Sequence, residues 1–128
     1  MFDPTMSIVK MPLTGLELPY PGGSGNHSVR HAGGSHYLSD EAKAYRVLVA
    51  LACRHVRPVV GPLCLDWLIA PPDKRARDID NLFKVVCDAL THAGFWPDDS
   101  NKVITQGAWQ WAAPVPGGAI FLTVYEAT

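Results

Sequence analysis

Asp78 and Asp80 flank Ile79 in the run Arg77-Asp78-Ile79-Asp80-Asn81-Leu82, and a second pair of carboxylates, Asp98-Asp99, follows a short amphipathic stretch. Carboxylates drawn together repel, while the positive end of a helix returns only about 0.3–1 kcal/mol to an exposed one. A cation among them would restore the balance. Oxygen donors with no His or Cys in the group suit Mg2+ or Mn2+ rather than Zn2+. Such an ion acidifies a bound water and polarises a phosphoryl group, so the implied chemistry is hydrolysis of a phosphodiester. Lys84, one helical turn beyond Asp80, can neutralise an aspartate or stabilise charge growing on a phosphorane. Each residue also has a plainer account. Asp78 is a good N-cap, Asp98-Asp99-Ser100-Asn101 is a turn composition, and Asp80 with Lys84 is an i,i+4 surface pair worth about 0.2–0.5 kcal/mol. None of these explains the joint placement, which rests on Asp99 folding back toward Asp78.

The element that must aim these groups is a helix expected from about Ile79 to Ala93. Its apolar side carries Ile79, Leu82, Phe83, Val86, Ala89 and Leu90, with Asp80, Asn81, Lys84 and Asp88 opposite. Gly94 stands where a left-handed residue ends a helix, and Phe95 can fold back on Leu90. An earlier helix is expected over 40–57, capped by Ser39 and finished by Pro58. Tyr45, Leu48, Val49, Ala52 and Val56 share one of its faces; Lys43, Arg46, Arg54 and Arg57 form a basic stripe on another. That stripe is either a solvated surface or a contact for a nucleic-acid backbone.

Strands are expected over 13–19, over 63–70, where Leu63, Leu65, Trp67 and Ile69 alternate with Cys64, Asp66, Leu68 and Ala70, and over 102–111 and 119–126, read as a hairpin through Pro114 to Gly118. Residues 22–37, rich in Gly, Ser and His, read as a long mobile loop. His27, His31 and His36 within it are too loosely spaced for a metal motif. Trp67, Trp96, Trp109 and Trp111 read as core or dimer-interface residues rather than base-stacking platforms, because three fall in expected strands. The sum is a single α+β domain, β-α-β-α-β-β, with two helices on one face of a mixed sheet.

At 128 residues, 48% hydrophobic and 18% charged, the chain is sized for one domain with one core. No apolar run approaches a membrane-spanning length and no signal-peptide pattern is evident, so a cytoplasmic protein with no membrane partner is expected. Cys53, Cys64 and Cys87 form no CxxC pair and read as buried thiols. The net charge of −1 argues against a nucleic-acid partner, but six of the twelve acidic residues fall between Asp73 and Asp99, where bound cations would invert the local field.

The block Arg77-Asp78-Ile79-Asp80-Asn81-Leu82 with Lys84, Asp88-Ala89-Leu90, Ala93-Gly94-Phe95-Trp96 and Asp98-Asp99 resembles the RusA family of Holliday junction resolvases, found in bacteria and carried by phages and prophages. Weaker similarity includes Leu18 to Pro21 with Asn26, residues 39–46 and the closing strands. The resemblance implies a homodimeric, Mg2+-dependent endonuclease that binds four-way DNA junctions and makes paired nicks in opposed strands. It implies a metal site of Asp78, Asp80 and Asp99, with Lys84 needed for activity and Asp98 and Asn81 as accessory neighbours. Lys74, Arg75 and Arg77 stand where the family contacts DNA phosphates, with Asn26, Lys43, Arg46 and Arg54 as further DNA contacts. Family members tend to be basic, unlike this chain, and residues 1–12 form an N-terminal extension with no assigned role. Two other readings fit the residues: a small metal-dependent nucleotide phosphohydrolase, which needs no basic surface, and a non-catalytic DNA-binding dimer whose aspartates only cap and turn.

Overall fold

Leu63–Ala70 is the strand around which the sheet is laid. The structure, a computed structural model, describes residues 11–22, 29–32 and 35–128. Asn26, His27 and residues 1–10 of the N-terminal extension lie outside them. In chain order the elements are β1 (Thr14–Leu18), β2 (Val29–Ala32), β3 (Ser35–Leu38), α1 (Asp40–Cys53), β4 (Leu63–Ala70), α2 (Ile79–His92), β5 (Ile104–Trp111) and β6 (Ala119–Glu126). Four strands form one mixed sheet in the order β1-β6-β4-β5, with β4 antiparallel to β6 and parallel to β5.

Register explains the core. Trp67 faces Leu122, which faces Leu16; Ile69 faces Ile120, which faces Leu18. These side chains share one sheet face and pack with Tyr45 and Val49 of α1 and with Leu82, Val86 and Leu90 of α2. Both helices therefore cover the same face, as expected from the sequence. On the other face Asp66, Leu68 and Phe121 remain exposed.

Three expectations need correction. The closing strands do not form a hairpin: β4 lies between β5 and β6. The chain runs β4, α2, β5 as a crossover unit that leaves its two strands parallel. It then passes the end of β4, where Ala112 N donates to Ile69 O and Val115 N to Pro71 O, before β6 returns on the far side. Secondly, the segment expected to be loop holds an antiparallel pair, Val29–Ala32 with Ser35–Leu38, in which His31 is opposite His36. Two runs separated by Gly33-Gly34 are a hairpin signal that outweighs the loop-like composition. Finally, α1 ends at Cys53 instead of residue 57. Arg54 N donates to Leu51 O and Val56 N to Cys53 O, tight i→i−3 bonds that close the helix ahead of Pro58.

The core face of α1 is the expected one at Tyr45, Val49, Ala52 and Val56, which are buried or packed against the core, but not at Leu48. Its buried residues are Tyr45, Val49 and Cys53, whereas Leu48 is 49% exposed. The Tyr45 hydroxyl donates to Pro19 O at 2.7 Å, anchoring the helix to the end of β1 and fixing its rotation. Val49→Ala is expected to cost about 1–3 kcal/mol and Leu48→Ala less than about 0.5 kcal/mol. Urea unfolding midpoints of the two variants check this; equal losses would restore the face expected from periodicity.

Candidate active site

Asp78 caps α2 in extended geometry (φ −97°, ψ 114°), and its side chain accepts from Asp80 N at 3.2 Å. The cap reading of Asp78 therefore holds, and the same bond sets Asp78 and Asp80 at one end of the helix, both exposed. Going round α2, the buried positions Leu82, Val85, Val86 and Ala89 fix its orientation. Asp80 and Lys84 then lie on the solvent side, with Phe83 and Cys87 on one flank and Asp88 on the other.

The far end of α2 decides where Asp99 goes. Gly94 sits at φ +77°, Gly94 N donates to Thr91 O and Phe95 N to Leu90 O, the paired bonds of a Schellman ending. Phe95 and Trp96 are buried, and Trp96 Nε1 donates to Thr91 Oγ1 at 2.8 Å. The chain is thus turned back at once along the helix. Asp98 Oδ1 accepts from Ser100 N at 2.8 Å, and hydrogen bonds from Ser100 hold the Asp98 carboxyl below its ordinary range. Asp98 shapes the turn, and Asp99 faces the cleft.

That cleft, of about 690 Å³, lies between α2 and the edge strand β5. Its walls include Phe83, Lys84 and Cys87 from α2, Asp99 and Asn101 from the turn, and Gly107 and Trp109 from β5. Gly107 belongs there because a Cβ would stand 2.9 Å from Leu65 O. Burial, with Asp99 and Asp88 nearby, pushes the Cys87 thiol up to about 12, so this wall carries a neutral thiol and not a nucleophile. Asp99 and Lys84 both line this cleft, and Lys84 lies one turn from Asp80. Among the described residues, however, no three His, Cys, Asp or Glu side chains are gathered at metal-holding spacing. The donor chemistry fits a hard divalent cation: exposed carboxylate oxygens, with no ion pair to Asp78, Asp80 or Asp99 among the described residues. Mg2+ usually takes only one or two protein carboxylates and keeps several waters, so the Asp78-Asp80 end alone meets that requirement.

The basic residues divide. Arg46 is spent on Asp88, with Nε at 3.1 Å and Nη2 at 2.6 Å from Oδ2, which ties α1 to α2. Arg77 pairs with Asp73 at 2.8 Å, donates to the carbonyls of Asp73 and Arg75 and lies 5.7 Å from the Tyr20 ring centroid. Arg75 also grips Asp73, Nη2 to Oδ2 at 2.9 Å, but stays exposed. Lys43, Arg54, Lys74 and Lys84 are exposed and enter no ion pair among the described residues. Sequence reasoning missed Asp73 and Tyr20 as the scaffold of the 73–77 loop. The signal was an Asp two residues before Arg75, whose backbone N–H it accepts at 2.9 Å as in an Asx-turn. Missed too was the exposure of Trp109 within the cleft; Trp67 and Trp96 are in the core as expected.

The family model described as Endodeoxyribonuclease RusA matches residues 19–122. The chain is 41% identical over 115 residues to the crossover junction endodeoxyribonuclease RusA of Escherichia coli K12, covering 87% of this chain and 92% of that protein. Similarity is the same in extent to the protein of that name from Enterobacteria phage 82, at 41% identity, and from Shigella sonnei, at 40%.

The Asp73 clamp gives a pH prediction. Hydrogen bonds from Arg77 and then Arg75 hold its carboxyl far below the ordinary value of 3.8. A depressed folded-state value means that the clamp stabilises the loop at pH above 3.8 and is lost as pH falls through the lowered value. A carboxyl 13C titration should place the Asp73 midpoint below 3.8, and Arg77→Ala should move it back up. An ordinary midpoint in the unsubstituted protein would remove the clamp from the account.

Proposed function

The chain belongs to the RusA family of crossover junction endodeoxyribonucleases, and we propose that it nicks four-way DNA junctions beside α2, with Asp78 and Asp80 as acidic ligands of a divalent cation and Asp99 as the third ligand that the cation would draw in. The observation that supports this reading is that Asp99 and Lys84 line one cleft. It draws together residues far apart in sequence, and phosphodiester hydrolysis needs both signs of charge at the phosphate: carboxylates for a cation, and an ammonium for the developing negative charge. A bound Mg2+, with Mn2+ as substitute, would supply an activated water and charge neutralisation at the phosphate. Asp78 has a second duty, since its cap fixes the first turn that carries Asp80. Lys84 binds a phosphate oxygen of the scissile linkage. Lys74 and Arg75 beside the Asp78 end, with Lys43 and Arg54 on α1, contact the junction arms.

Paired nicks in opposed strands call for two sites, so the working form is a homodimer. Apolar side chains left exposed on α1, Val47, Leu48 and Leu51, and on the uncovered sheet face, Leu68 and Phe121, supply surface of the kind that subunits bury. No helix of the described residues is long and apolar enough to cross a membrane.

The test is cleavage of a synthetic four-way junction in Mg2+. Paired nicks are expected from the unsubstituted protein, none in EDTA. Asp80→Asn should bind the junction and fail to cut it. Lys84→Ala should lower the cleavage rate about 10²- to 10³-fold, the usual effect of losing one transition-state donor. Intact protein that releases phosphate from free nucleotides and leaves the junction whole would overturn the reading.

A further inference from the structure

Among the cleft's aromatic residues, Trp67 is buried and Phe83 half-buried, whereas Trp109 is 47% exposed. A strand that needed Trp109 only for packing would bury it; here β5 is the sheet edge, and α2 stops short of it. The ring is nonetheless held. Its centroid lies 6.3 Å from Phe83 at 76° and 6.4 Å from Trp111 at 83°, both edge-to-face contacts. Neither neighbour is stacked parallel on the indole, and nearly half of the residue stays open to the cleft.

We propose that Trp109 is a stacking platform for a nucleobase next to the cleaved phosphate, and that it favours branched over linear DNA. The proposal rests on the junction-nuclease reading. Trp109 shares its cleft with Lys84 and Asp99, so a phosphate held at Lys84 brings its neighbouring nucleotide over the floor that Trp109 forms. In a continuous duplex each base is already stacked on both faces and has little to gain from an indole. A branch point interrupts the stack and leaves a base face to cover. Stacking of this kind is tolerant of sequence, because every base has a π face. It accordingly adds selection for DNA shape at the cut, which the carboxylates and Lys84, acting on phosphate alone, do not provide.

The experiment compares unsubstituted protein, Trp109→Ala and Trp109→Phe for binding to a four-way junction and to a linear duplex of equal length, in EDTA, by fluorescence anisotropy. Thermal melting and sedimentation accompany each variant. Trp109→Ala should raise the junction Kd about 5- to 150-fold, the span of base-aromatic stacking, with little change for the duplex. Trp109→Phe should recover part of the loss. Equal losses on both DNAs, or none, would overturn the proposal while leaving junction binding by the unsubstituted protein intact. Loss of binding together with a shift to a smaller species in sedimentation would also overturn it, assigning Trp109 to a contact between copies of the chain. If the unsubstituted protein neither binds nor nicks the junction, the underlying functional reading fails and this inference falls with it.

Discussion

Gly94, held at φ +77° with Phe95 N bonded to Leu90 O, is the constraint on which the arrangement of the site depends. A side chain with a Cβ is disfavoured there by about 1–2 kcal/mol, and a helix that ran on would carry Asp98 and Asp99 away from its own N-terminal half. The reversal is secured from both sides. Phe95 and Trp96 sink into the core, and Phe95 O accepts from Val59 N, so the turn is tied to the segment that leads into β4. Local backbone chemistry at one end of α2 thereby determines which residues meet along its middle.

The same helix serves two neighbours because its circumference is divided. Toward α1 it presents Asp88, which takes both Nε and Nη2 of Arg46; toward β5 it presents Phe83 and Cys87; Asp80 and Lys84 lie between these flanks. Ion pairs this exposed contribute at most about 1 kcal/mol, so Arg46 matters more for setting the angle between the helices than for stability. The 73–77 loop shows the same use of charge. Asp73 gathers Arg75 and Arg77, and Arg77 lies over Tyr20, which holds the approach to Asp78 in one course. Part of the chain's modest positive charge is therefore spent on positioning acidic groups.

What could be read from the sequence follows from range. The Asp78 cap, the Gly94 ending and the alternation in β4 each depend on residues a few positions apart, and all three were legible. The placement of β4 between β5 and β6 depends on a crossover whose outcome is a sheet property; two β-rich runs with a Pro-Gly connector look alike whether or not a strand lies between them. The exposure of Leu48 on α1 was missed for a related reason. Leu48 and Val49 fit the same apolar arc, and the choice was made by the hydroxyl of Tyr45 reaching Pro19 O across the sheet edge. The acidic residues were visible as a group, but their distribution was not: Asp98 builds a turn, and Asp99 beside it lines the cleft.

The cleft itself is a consequence of strand order. Had β5 and β6 paired as a hairpin, β4 would no longer separate them and β5 would not hold its present edge position. Because β5 comes last on its side and parallel to β4, its core-facing positions Gly107 and Trp109 extend past the helix that covers Leu65 and Trp67. An edge strand beyond its covering helix offers a floor with one wall, and the Asp98 turn leading into β5 closes one end. Catalytic and recognition groups thus share a cleft by topology: the crossover that makes β4 and β5 parallel also requires the chain to pass from the end of α2, through Asp99, to the start of β5.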